Sequence, residues 1–125
     1  MARNAIQPEN LAVPKPPYSP VVVAGDTVYT AGQIANGPDG NLVDGGIEEQ
    51  TRQALENVRT CVEAGGLTMD DIVKVNAYLV DLADFPGYNK VYTEFFGAPY
   101  PARTSVQAGL PAGVLVEIEA VARRS

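Results

Sequence analysis

VLVEIEAVA, residues Val114 to Ala122, is the stretch whose reading decides the fold. Val116, Ile118, Ala120 and Ala122 fall on one side of an extended chain, and Glu117, Glu119 and Val121 fall on the other. A period of two is the signature of a strand. One apolar face beside one mixed face means a sheet covered by other elements on a single side.

Working outward, Gly109-Leu110-Pro111-Ala112-Gly113 forms a turn, and a further strand runs from Arg103 to Ala108 with Arg103, Ser105 and Gln107 together on one side. Gly97 to Pro101 breaks a preceding helix. For that helix Asp84 is a candidate cap, Pro86 is tolerated in the first turn, and Phe85, Tyr88, Tyr92, Phe95 and Phe96 mark the buried face. Asp70 to Asp81 reads as a half-covered strand, with Lys74, Asn76 and Tyr78 alternating against Val73, Val75, Ala77 and Leu79.

Earlier in the chain the period is helical. Ile47, Thr51, Ala54, Leu55, Val58, Cys61, Val62 and Gly65 recur at spacings of three and four, with Glu48, Glu49, Arg52, Gln53, Glu56 and Arg59 opposite. Gly65-Gly66 is the stop. Turn clusters at residues 36–41 and 44–46 enclose a short Leu42-Val43 segment suited to weak edge pairing. Val21 to Val23 and Thr27 to Thr30 flank Gly25-Asp26 as an antiparallel hairpin. Before it, residues 14–20 carry four prolines and read as an extended arm.

Hairpin, helix, strand, helix, strand, strand describes one α+β domain over residues 1–125: a mixed sheet with two helices packed on one face. Burying the uncovered face against sister subunits would create clefts containing paired charges, so a homo-oligomer is expected.

Composition narrows the chemistry. The chain has no histidine and one cysteine, which excludes Ser-His-Asp and Cys-His nucleophile systems and the usual zinc sites; no metal is assigned. Net charge is -6, and the nine Lys and Arg residues form no run longer than Arg123-Arg124, which disfavours nucleic acid as main partner. No apolar run is long enough to span a membrane, and the first residues lack the apolar core of a secretory signal, so the expected location is the cytoplasm. Cys61 lies on the helical apolar stripe and reads as a buried small hydrophobe.

Arg103 is the sharpest candidate for function. Its planar fork matches a carboxylate bidentately and stays charged at every physiological pH; its competing role is an ion pair with Glu117 or Glu119. Glu117 and Glu119 share a face, and either, partly desolvated, can hold or deprotonate a water. Tyr18 sits on the stiff arm where it can border a pocket. Asn89 lies beside the aromatic stripe, with plain solvation as the alternative. Gly32, in Thr30-Ala31-Gly32-Gln33, permits close backbone approach at a bend.

Several stretches together resemble the RidA family, also called YjgF/YER057c/UK114: Tyr29-Thr30-Ala31-Gly32-Gln33-Ile34, Gln53-Ala54-Leu55-Glu56-Asn57-Val58, Tyr92-Thr93-Glu94-Phe95-Phe96, Pro101-Ala102-Arg103 and Val116-Glu117-Ile118-Glu119-Ala120. The resemblance implies a chorismate-mutase-like α+β fold, a homotrimer with three clefts between subunits, and hydrolysis of 2-imino acids or their enamine tautomers to 2-keto acids and ammonia without a cofactor. By position it implies that Arg103 binds the substrate carboxylate, Glu117 orients water, Tyr18 and Asn89 line the cleft, and backbone near Ala31, Gly32 and Ser105 touches the substrate. Ala31 and Ser105 depart from the hydroxyl residue and cysteine common in such members, which bears on substrate choice. Deamination of another enamine, 2-aminomuconate-like, and non-catalytic binding of a 2-keto or amino acid are the alternative functions; RNA cleavage is the least favoured.

Overall fold

The computed structural model describes residues 3–125. Six strands and two helices follow in the order β1 (Asn4–Ile6), β2 (Val21–Ala24), β3 (Thr27–Thr30), α1 (Ile47–Ala64), β4 (Ile72–Leu79), α2 (Phe85–Phe95), β5 (Ala102–Gln107) and β6 (Val116–Arg123). They form one mixed sheet of order β1-β2-β3-β6-β4-β5, in which only β4 and β5 run parallel. This is the expected α+β arrangement, extended by β1, which pairs with β2 and which the sequence reading did not anticipate. Three residues too short to show a period gave no signal for it.

Alternation on β6 holds as expected. Val116, Ile118, Ala120 and Ala122 are buried, while Glu117, Glu119 and Val121 are partly open. The buried side meets α1, whose Ala54, Leu55, Val58, Cys61 and Val62 are fully enclosed. Full burial of each of the larger aliphatic side chains stabilises by roughly 1.5–3 kcal/mol. Helix α2 packs beside α1, and Arg52 with Glu94 and Lys90 with Glu48 bridge the two on the outside. Neither helix is long and apolar enough to cross a membrane.

Local expectations fare unevenly. The β2–β3 hairpin turns at Gly25, whose φ of 57° lies in the region that favours glycine. The weak pairing expected of the Leu42-Val43 segment is an isolated bridge between Leu42 and Asn36. Cys61 is enclosed, and burial pushes its thiol up to about 12. Val73, however, is not on the covered face but 51% exposed. A bulge between Ile72 and Lys74 shifts the phase, so Ile72 takes the buried position. Asp84 holds the N-cap position of α2 as expected, but its side chain makes no cap hydrogen bond; Asp81, one 3-10 turn earlier, accepts from the Ala83 N–H at 2.9 Å. On α2 the enclosed residues are Tyr88, Val91 and Tyr92, with Phe85 and Phe95 only partly covered.

Candidate active site

Between the pairs Tyr29–Val121 and Gln33–Ile118, the β3 side carries three residues where β6 carries two. The extra residue makes residues 30–32 arch over β6. Thr30 fixes the arch by accepting from the Ala120 N–H at 3.0 Å, and Gln33 rejoins the ladder through two bonds to Ile118. Gly32 is thereby pressed against Glu117: a Cβ here would collide with the Glu117 carboxylate and sit 2.8 Å from its Cδ. The close approach expected at Gly32 is thus an approach to a candidate catalytic side chain.

Tyr18, Ala31, Gly32 and Glu117 line one recess of about 360 Å³, joined by Ile34 and Pro111, which the sequence reading had not singled out. Behind this arch stands another residue without an assigned role there, Asn57. Its buried amide donates to the carbonyls of Ile34 and Asn36 at 3.0 and 2.8 Å, pinning the loop to α1. A polar residue set between Ala54 and Cys61 at spacings of three and four was the available signal.

The two glutamates differ in surroundings. Glu119 accepts from Asn76 Nδ2 at 3.3 Å and from the Tyr78 hydroxyl at 3.2 Å. Glu117 accepts from no side chain among the described residues, and burial, reinforced by the neighbouring Glu119 charge, pushes its carboxyl above the usual range. Of the pair, Glu117 is the one free to hold a water.

Arg103 lies elsewhere. Register pairs Arg103 with Val75, Ser105 with Ala77 and Gln107 with Leu79, all three partners being buried. The side of β5 that carries Arg103 and Ser105 is therefore the helix side, not the mixed face of Glu117 and Glu119, and the ion pair with either glutamate does not form. Instead the guanidinium carbon sits 5.1 Å from the Tyr88 ring centroid and 4.8 Å from that of Tyr92, and Nη1 donates to Asn89 Oδ1 at 2.8 Å. Asn89 is thus turned to Arg103 rather than merely solvated. Together with Tyr92, Thr93, Tyr100 and Pro101 the two line a second recess of about 320 Å³. Among the described residues Arg103 pairs with no carboxylate.

The sequence-derived candidates thus divide into two groups, Arg103, Asn89 and Ser105 on one side of the sheet and Tyr18, Ala31, Gly32, Glu117 and Glu119 on the other. A family model described as Endoribonuclease L-PSP matches residues 9–124, nearly the whole chain. The chain belongs to this family. Membership in the Endoribonuclease L-PSP family bears out the resemblance to RidA proteins drawn from the motifs.

Relatives in the family include a RutC family protein of Pyrococcus horikoshii, 45% identical over 122 residues that span 96% of this chain and 97% of that one. The human 2-iminobutanoate/2-iminopropanoate deaminase is 42% identical over 108 residues, 85% of this chain and 79% of the relative. Among solved structures, Escherichia coli TdcF with bound serine superposes with a TM-score of 0.91 at 39% identity, covering 98% of this chain and 99% of that one. Proteins related to this chain are thus named imine deaminases, and one binds a small amino acid.

Proposed function

We propose that the protein hydrolyses reactive 2-imino acids and their enamine tautomers, of the 2-aminoacrylate/2-iminopropanoate type, to 2-keto acids and ammonia. The observation that carries this reading is the state of Arg103: a guanidinium held by aromatic rings and one amide, with no carboxylate among the described residues to neutralise it. Cation–π contact uses the face of the guanidinium and leaves its edge donors for a bound anion.

The rest of the chemistry follows from a substrate that is already electrophilic. Arg103 grips the carboxylate, and Glu117 takes a proton from water as the water oxygen bonds to C2 and the C=N electron pair moves to nitrogen. Return of that proton to nitrogen gives a carbinolamine; transfer of its hydroxyl proton to the amine, again by way of Glu117, lets the C–N bond break and ammonia leave as the C=O bond forms. Proximity and fixed charge suffice, with no covalent intermediate and no cofactor. The name of the human relative, a deaminase of small 2-imino acids, and the serine bound to E. coli TdcF, a small 2-amino acid, support this substrate class.

Because the two groups of residues lie on opposite sides of one sheet, the working site is proposed to form between protomers of a homotrimer. Arg103 on the edge strand β5 of one subunit would face the Glu117 recess of the next. Exposed Tyr29 and Val106, on or beside the open sheet face, are apolar surface that such an assembly would cover. The ribonuclease activity in the family's description has less behind it here, given net charge -6 and no histidine.

Incubation with an enzymatically generated 2-imino acid tests the proposal. Accelerated ammonia and keto-acid release is expected, lost in Arg103→Ala; saturable keto-acid binding without acceleration would make the protein a binder instead.

A further inference from the structure

Tyr88 is the largest of the wholly buried side chains, and its surroundings exceed what packing requires. Filling that space needs only a ring. Yet its hydroxyl lies 3.1 Å from Ser105 Oγ, while its ring lies under the Arg103 guanidinium at 5.1 Å. Positions 103 and 105 are two apart on a strand and share a side. One enclosed residue therefore touches both Arg103, which lines the recess, and Ser105, which follows it on the same side of β5. Phe85 meets the Tyr88 ring edge-on at 5.8 Å and Tyr92 stands one helical turn further on, so the ring itself has little freedom.

We infer that Tyr88 is the positioning residue of the carboxylate site: its ring aims the Arg103 fork, and its hydroxyl turns the Ser105 O–H toward the bound acid as an additional donor. This rests on the reading of Arg103 as the carboxylate clamp.

A serine hydroxyl has a single proton and two acceptor lone pairs. If the phenol donates to Ser105 Oγ, the serine proton is left for a ligand. Burial raises the Tyr88 pKa above that of a free phenol, so the group keeps its proton throughout the physiological range. Ser105 then supplies a directed neutral donor beside Arg103, where an undirected hydroxyl would spend its proton on Tyr88. An aromatic floor also suits the clamp, since a carboxylate in its place would bind Arg103 permanently and compete with substrate.

The test compares wild type with Tyr88→Phe, Ser105→Ala, the double variant and Tyr88→Leu, all full length. With enzymatically generated 2-iminobutanoate, Tyr88→Phe and Ser105→Ala are each expected to raise KM by about 3- to 10-fold, the worth of one hydrogen bond, with kcat nearly unchanged. The double variant is expected to be no worse than either single one, because both remove the same bond. Proton NMR of the ligand-free protein, with the Arg103 side chain assigned through Arg103→Lys, reads the ring separately. An upfield ring shift of the Arg103 side-chain protons is expected in wild type and Tyr88→Phe and should shrink in Tyr88→Leu.

Unchanged KM in Tyr88→Phe, additive effects in the double variant, or unshifted Arg103 protons in wild type would overturn the assignment. Should wild type hydrolyse no imine, the deaminase reading falls alone. Affinity for 2-oxobutanoate, measured by calorimetry across the same variants, then decides the role of Tyr88 by the same pattern, and absence of any 2-oxobutanoate binding to wild type overturns it.

Discussion

Arg103 and Glu117 leave the same sheet in opposite directions. Arg103 pairs in register with buried Val75 and lies against the rings of α2, whereas Glu117 sits under the arch at Gly32 on the face away from the helices. With the two parts of the proposed hydrolytic site on two sides of its own sheet, one chain does not close that site around one small molecule alone. The division is what makes a second protomer part of the proposed chemistry.

Truncating the clamp should separate function from folding. Among the described residues Arg103 forms no ion pair, and it is exposed at the sheet edge, so Arg103→Ala should leave the melting temperature within a few degrees of wild type. Loss of a charge-assisted, bidentate contact to the transition state is expected to lower kcat/KM by about 100-fold or more. Arg103→Lys, which keeps the charge but not the fork, should recover only a small part. Steady-state ammonia release alongside thermal melts checks both.

Glu117 carries a pH signature. Burial first, and then the Glu119 charge, raise its carboxyl pKa, so the acid limb of kcat/KM should fall at higher pH than an ordinary glutamate, whose pKa is about 4.3. Glu117→Gln should abolish that limb together with most activity. Glu119→Gln removes one cause of the shift and should move the limb to lower pH.

The same shift fixes a stability sign. With its folded pKa above the unfolded value, Glu117 binds more proton when folded between the two, so its contribution to stability declines as pH rises through that window. At neutral pH the charged carboxylate is a cost. Glu117→Gln is therefore expected to melt no lower than wild type at pH 7, measured by calorimetry, with any advantage shrinking toward pH 4.

Gly32 tests the arch. An alanine methyl there meets the Glu117 carboxylate, the mobile end of a side chain, so Gly32→Ala should fold while pushing the carboxylate aside. Activity should fall by about 10-fold or more, as misplacement of a general base does, and a crystal structure of the variant should show Glu117 rotated.

Asn57 offers a contrasting case. Its amide satisfies two loop carbonyls from a position nearly out of water, and Asn57→Leu leaves both unpaired, for about 1–3 kcal/mol of lost stability per buried group. Denaturant unfolding should register this, with activity falling as the Ile34–Asn36 loop loosens.

What the sequence shows of all this follows from periodicity and its failures. The β6 alternation, the α1 stripe and the Gly25 turn are local patterns, and each is realised. Val73 escaped because a bulge reverses facing without leaving a trace in the apolar alternation. Strand β1 is set by pairing with β2, a tertiary event that three residues cannot announce. For the site, residue chemistry singled out Arg103 and Glu117 and the β6 alternation placed Glu117, but the face Arg103 occupies depends on register between β5 and β4, which no single strand encodes. Tyr88 hid in plain view as an aromatic on a buried stripe, its hydroxyl the only hint of a further task.

Subunit complementation tests the central claim most directly. Arg103→Ala and Glu117→Gln, each inactive alone, are to be co-expressed in equal amounts and the mixed oligomers assayed for imine hydrolysis. If each cleft takes Arg103 from one protomer and Glu117 from its neighbour, random mixing restores intact clefts and about a quarter of wild-type activity. Mixed oligomers as inactive as their parents would contradict the shared site.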